Sequence, residues 1–185
     1  MRCFVALLPA DESRPALDAL LRCAALSHPR ARAVHPADLH LTLAFIGDLP
    51  PARAQALATA LARRPAPQAP PWQLDQLGAF AQARVLWAGG AAHAELEAMA
   101  AAVRSWLDDE SVSYDRKRFV PHVTLLRKLA LAEAEHAPAV IEPPIPWPLG
   151  APVLLAARAN PEAPRYAPVA AATPSFGCDQ AEPNR

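Results

Sequence analysis

The sequence predicts an α+β domain with helices packed outside its sheets, and three observations carry that prediction. Segments with apolar residues at helical spacing alternate with short apolar runs of strand length along most of the chain. Two tripeptides of one form, His40-Leu41-Thr42 and His122-Val123-Thr124, stand 82 residues apart; each opens a strand-like run and follows a helical segment, as in a loose duplication. At 185 residues with 52% hydrophobic side chains, the chain suits one domain, or two small lobes around a shared cleft. Residues 1–174 are expected to form it, with residues 175–185 a flexible tail.

Residues 2–8 form the first expected strand. The opening MRCFVALLP has too short an apolar run for a secretory leader, and Asp11 and Glu12 follow at once. Residues 13–26 carry Leu17, Leu20 and Leu21 at helical spacing, with Ser13 as cap and Pro15 in the first turn. A strand over 39–46 is closed by Gly47-Asp48, a helix spans 51–61, and PAPQAPP over 65–71 is a stiff connector. Strands at 72–77 and 84–88 flank a loop over 78–82. The clearest helix covers 93–107, where Leu96, Met99, Ala100, Val103 and Leu107 recur at intervals of three and four; Met99 and Trp106 fall to the core or its margin. A strand over 122–127, a short helical piece near 132–136, a proline-rich passage IEPPIPWPLGAP and two closing strands at 153–158 and 166–170 complete the order.

Eighteen basic and eighteen acidic residues leave no net charge, which excludes a protein that coats duplex nucleic acid. Any nucleic-acid contact is expected to be local, near Arg116, Lys117, Arg118, Arg127 and Lys128, the densest basic cluster in the sequence. Cys3, Cys23 and Cys178 are odd in number and widely spaced, which fits neither a disulfide framework nor a zinc ribbon and suits a reducing compartment. No run approaches the roughly 20 apolar residues of a membrane helix. A soluble, cytoplasmic monomer without membrane partners is expected.

In an extended strand residues two apart share a face, so His40 lies beside Thr42 and His122 beside Thr124, while Leu39, Leu41, Leu43 and Phe45 form the opposite, buried face. If the two strands are neighbours, two imidazoles and two hydroxyls surround a small anionic centre. Imidazoles titrating near pH ~6.5 hold neutral and charged forms together at neutral pH, as a base and an acid acting on a phosphodiester require. Threonine hydroxyls supply donors to the non-bridging oxygens without a metal. His28, His35, His93 and His136 have no useful spacing to that pair, and no metal site is expected.

With these motifs the chain resembles the 2H phosphoesterase superfamily, in its RNA 2′,3′-cyclic phosphodiesterase branch once described as 2′-5′ RNA ligase. The resemblance is carried by LHLTLAFIGDL over 39–49 and RFVPHVTLLR over 118–127, and more weakly by RCFVALLP, LGAFAQARVLWAGG and Arg165-Tyr166. It implies a bilobal, pseudo-twofold α+β fold with antiparallel sheets lining a central cleft. It also implies metal-independent hydrolysis of cyclic phosphate ends to 2′-phosphomonoesters with no cofactor, acting on RNA ends or small cyclic nucleotides. His122 would be the base that activates water and His40 the acid that protonates the 3′ oxygen, with Thr42 and Thr124 holding the phosphate. Arg127 matches the family's arginine after the second motif, yet strand parity groups it with Val123 and Leu125, away from His122, unless the strand twists or ends there. Phe4 matches an aromatic of the first strand, fitted to stacking on a base or to the core; Tyr166 has the same two options. Where the branch commonly has a serine, this chain has Ala156 or Ala157, and the aromatic strand after Tyr166 is missing. Two other functions suit the same cleft: 2′-5′ ligation of RNA, the reverse reaction, and a non-catalytic module that binds RNA ends or nucleotides.

Overall fold

The computed structural model describes residues 1–135, 139–158 and 164–171. The strands are β1 (Arg2–Leu7), β2 (Arg32–Ala33), β3 (Leu41–Asp48), β4 (Trp72–Phe80), β5 (Val85–Gly89), β6 (Val123–Arg127), β7 (Ala139–Trp147), β8 (Val153–Ala157) and β9 (Tyr166–Pro168). The helices are α1 (Arg14–Ser27), α2 (Pro51–Leu61), α3 (Ala94–Asp109) and α4 (Leu131–Glu135). The strands form one antiparallel sheet in the order β7-β4-β5-β6-β3-β1-β8-β9, with β2 paired to β6. Four strands stand on each side of the β3/β6 joint, which is the duplication suspected from the two tripeptides.

The period-two pattern of β1 shows how the sheet is dressed on both faces. Cys3, Val5 and Leu7 enter the main core, while Phe4 and Ala6 join Leu155 in a smaller cluster on the other face. Helix α3 packs on β3, α2 on β8, α1 on β6 and α4 on β4. Leu17, Leu41, Leu43, Leu57, Leu96 and Val123 are essentially without exposure between them. Burial of each leucine side chain contributes about 1.5–3 kcal/mol. The sheet face away from this core is left open, and the paired motifs lie there.

Four local features depart from the sequence pattern. Gly78 belongs to β4 rather than to a loop, because it pairs with Trp87 and an added Cβ would run into the indole; a glycine reads as a break yet here makes room for a ring. IEPPIPW is a strand, β7, with Ile141, Ile145 and Trp147 buried on alternate positions. It lies at the sheet's edge and pairs only with β4, the place where prolines without N–H groups are tolerated. Ser13 stands at the N-cap of α1, but its hydroxyl donates to the Pro146 carbonyl at 2.6 Å, tying the helix to β7 instead of capping it. The two-residue strand β2, in a stretch with no strand pattern, forms only by pairing with β6. His136, Cys178 and the tail over 175–185 lie outside the described residues.

Candidate active site

Strands β3 and β6 meet through a single bridged pair, Leu41 with Val123. Antiparallel register extended one residue each way sets His40 level with Thr124 and Thr42 level with His122, all four on the face opposite the buried Leu41 and Val123. One side of this centre is a cavity of about 310 Å³ lined by Arg2, Phe4, His40, Thr42, Arg127 and Tyr166, among others. On the other side a crevice of about 120 Å³ is bounded by Thr42 and His122 together with Arg118 and Phe119. Thr42 borders both, and Thr124 is paired with Trp87 in the sheet.

The two imidazoles are held alike. His40 Nδ1 lies 2.6 Å from the Asp38 carbonyl and His122 Nδ1 lies 2.7 Å from the Val120 carbonyl. A carbonyl only accepts, so each Nδ1 carries the proton and donates it, which leaves each Nε2 free for chemistry. Aromatic rings flank both: Phe4 at 4.8 Å and the edge of Tyr166 at 5.3 Å around His40, Phe80 at 4.9 Å and Trp87 at 6.5 Å around His122. Burial among these rings pushes the His40 pKa down to about 4; the Asp38 carbonyl opposes the shift, and the positive charge of Arg127 adds to it. His122 is lowered by the same causes in the same order, burial first, with the Val120 carbonyl opposing and Arg127 adding. The charge of His122 also depresses His40, so the two rings are within electrostatic reach of each other.

Arg127 corrects the parity reading. Between β5 and β6 the register shifts after Leu86, so Leu125 and Leu126 are both buried and the next residue returns to the histidine face. Arg127 therefore lines the cavity with His40 and Thr42 and acts on both imidazoles. The first half repeats the device. A register shift between β1 and β3 buries Leu43 and Ala44 in succession, and Phe45, expected on the apolar face, pairs with Phe4 and lines the same cavity. Each bulge shows in the sequence as an apolar doublet straight after the threonine, Leu43-Ala44 and Leu125-Leu126, which strict alternation forbids.

Phe4 is buried at 4% exposure, yet it belongs to the cleft-side cluster and its ring packs on His40 and Tyr166. Ala157, at one of the positions where the serine was missed, lines the same cavity. Asp38 carried no signal in the sequence. Its carboxylate is buried and accepts the backbone N–H groups of Arg165 and Tyr166 at 2.9 and 3.0 Å, which fixes the start of β9 against His40. The other described histidines are engaged elsewhere: His35 and His93 accept backbone N–H groups at helix starts, and His28 lies 3.4 Å from Glu133. Among the described residues no group of three or more His, Cys, Asp or Glu side chains is placed to hold a metal, and no helix is long and apolar enough to cross a membrane.

A sheet face presenting two Nδ1-protonated imidazoles, two threonines and an arginine around one cleft defines a two-histidine site for an anionic centre. Comparison with known proteins agrees. The family profile described as LigT like Phosphoesterase matches residues 7–87. The RNA 2′,3′-cyclic phosphodiesterase of Geobacillus stearothermophilus is 34% identical over 129 residues, 68% of this chain; the chain spans 41% of that relative's length. Escherichia coli LigT in its apo form superposes with a TM-score of 0.67 at 27% identity, covering 90% of this chain and 93% of LigT. LigT complexed with 3′-AMP gives 0.65 at the same identity and coverage. A Thermus thermophilus protein gives 0.64 at 28% identity, covering 91% of this chain and 94% of that one. The chain belongs to the LigT-like phosphoesterases.

Proposed function

We propose that this protein hydrolyses RNA 2′,3′-cyclic phosphate ends to 2′-phosphomonoesters by paired histidine acid/base catalysis, without a metal or cofactor. The observation that carries the proposal is the Leu41–Val123 bridge, which sets His40, Thr42, His122 and Thr124 on one face beside Arg127. LigT complexed with 3′-AMP supports a nucleotide-sized anion in such a cleft.

His122 Nε2 takes a proton from water, whose oxygen forms the new bond to phosphorus. The P–O3′ bond breaks, and His40 Nε2–H delivers its proton to the departing 3′ oxygen. The product carries a 2′-phosphate and a free 3′ hydroxyl, and the ring charges are restored by exchange with solvent. Arg127 and the threonine hydroxyls hold the non-bridging oxygens as charge builds on them. Phe4, with Tyr166, walls His40 and offers the terminal nucleoside an apolar edge.

Both imidazoles are depressed, so both are neutral at pH 7 in the free protein, and the acid must gain its proton as the anionic substrate arrives. The deeper depression of His40 favours a second reading of the roles, with His122 as the proton-bearing partner and His40 as the base. The bridging-sulfur substrate described in the Discussion separates the two.

Incubation with an oligoribonucleotide ending in 2′,3′-cyclic phosphate, with and without EDTA, tests the function directly. A 2′-phosphate product formed equally in chelator is expected. A 3′-phosphate, or activity restored only by a divalent ion, contradicts the mechanism, and 2′-5′ joined product would show the site running in reverse. Residues 1–174 are proposed as one monomeric unit. The free thiols of Cys3 and Cys23 support a reducing compartment, the cytoplasm.

A further inference from the structure

The basic cluster that stands out in the sequence is not the one the fold assembles. Arg116 is paired with Asp108 and Lys117 with Asp115. Arg127 and Lys128 instead join Arg32 from β2, Arg84 from the β4–β5 turn and Arg165 from the start of β9 around a cavity of about 650 Å³. Strand register makes the assembly. Arg32 pairs with Arg127 on one side of β6 and Val85 pairs with Arg127 on the other, which brings Arg84 alongside. Arg84 is clamped there, its backbone carbonyl accepting from the Leu129 N–H and its Nε donating to the Leu129 carbonyl.

Five cations around one cavity repel each other unless an anion lies among them. Among the described residues none of the five forms a salt bridge with a carboxylate. Asp38 borders the cavity, but both its oxygens are already engaged by the Arg165 and Tyr166 N–H groups. Arg127 and Arg165 line this cavity and also the 310 Å³ cavity of His40 and Thr42, so the two spaces adjoin. Among the described residues no Phe, Tyr or Trp borders the larger one, which suits it to phosphates rather than to bases.

A 2′,3′-cyclic phosphate is the 3′ terminus of its chain, so the remainder of an RNA substrate extends in the 5′ direction from the histidines. We propose that the Arg32–Arg84–Lys128 cavity binds the phosphodiesters of the nucleotides 5′ to the reacting end, independently of base sequence. Oligoribonucleotides with cyclic ends are then the preferred substrates over cyclic mononucleotides. This inference rests on the phosphodiesterase reading above.

The test compares wild type with the double variant Arg32→Gln/Lys128→Gln, two exposed side chains outside the 310 Å³ cavity. The readout is the ratio of kcat/KM for a cyclic-ended hexaribonucleotide to that for the nucleoside 2′,3′-cyclic phosphate with the same base. The ratio is expected to exceed ~10 in wild type, to fall about tenfold in the double variant, and to recover in Arg32→Lys/Lys128→Arg. A ratio near one in wild type, or unchanged in the double variant, overturns the proposal. Anisotropy of a labelled hexaribonucleotide ending in a 2′-phosphate reads the cavity without turnover. Loss of two phosphate contacts should weaken binding and reduce the logarithmic salt slope by about 1.4, and an unchanged slope overturns the proposal. Should wild type bind this RNA through Arg32 and Lys128 yet hydrolyse neither substrate, the catalytic reading fails and the cavity stands. Hydrolysis of both substrates at equal efficiency has the opposite meaning.

Discussion

Leu41 pairs with Val123, and about that one bridge the two halves of the site are backbone equivalents with unequal chemistry. His40 and His122 precede the bridge, Thr42 and Thr124 follow it, and Phe45 and Arg127 each return to the cleft five residues after the histidine by way of a bulge. A neutral ring in one half stands where the other half has a guanidinium. The charge that holds an anion, and that depresses both imidazoles, thus reaches this centre from β6.

His40→Ala and His122→Ala should each lower kcat by at least ~10² with the circular dichroism spectrum unchanged. A 3′-bridging sulfur distinguishes their roles, because a thiolate leaves without a proton. His40→Ala recovers most of its rate on that substrate and His122→Ala does not. Recovery in His122→Ala instead assigns the acid to His122.

The pH dependence follows from the two depressed pKa values. The active form carries one proton on the pair, and both rings lose their protons below the ordinary imidazole range, His40 near 4. As pH rises through both values the singly protonated form disappears. The profile of kcat/KM should therefore be a bell centred below pH ~6.5, falling towards neutrality. A maximum at pH 8 would show that the free-protein rings are not held neutral.

Arg127 lowers both imidazole pKa values by its charge. Arg127→Ala should raise both, moving the bell to higher pH, and should cost ~10²–10³ in kcat/KM through lost stabilisation of the phosphoryl oxygens. Arg127→Lys keeps the position of the bell while recovering only part of the rate. A purely structural arginine would leave the bell where it is in both variants.

Stability should also depend on His40. Its folded pKa is about 4 against ~6.5 unfolded, so on acidification the unfolded chain binds a proton that the folded ring refuses. The contribution is full above pH ~6.5, declines as pH falls towards 4, and changes no further below that, about 3 kcal/mol in all. Urea midpoints at pH 7 and pH 4 should differ more in wild type than in His40→Asn.

Gly78→Ala places a methyl group against the Trp87 indole, which in turn flanks His122. The expected cost is ~1–3 kcal/mol in stability, with a fall in kcat as the ring is displaced. Thermal unfolding and steady-state kinetics on the same variant check both.

Much of the fold was legible because long helices and alternating strands advertise themselves: helix 51–61 falls where the period puts it, and α3 is displaced by one or two residues at its ends. Strand β7 was hidden by its prolines, which an edge position tolerates, and β2 by having no pattern of its own. At the site, His40 and His122 stood out because the same His-x-Thr pattern, each time with an apolar middle residue and an apolar run after it, is hard to obtain twice in one chain by chance. Asp38 did not, since a buried carboxylate that accepts two N–H groups from residues more than 120 positions away leaves no local mark.

By itself the sequence determined the alternating α+β order, the two His-x-Thr strands, the pairing of each imidazole with a hydroxyl, and the apolar Leu41 and Val123 behind them. Those are consequences of period-two geometry, which one strand settles alone. Tertiary structure decided where Arg127 and Phe45 point, because a bulge is defined only against a partner strand. It also decided which cations gather, neutralising Arg116 and Lys117 while drawing Arg32, Arg84 and Arg165 to Arg127 and Lys128. Charge acts through space, and the distances belong to the folded chain.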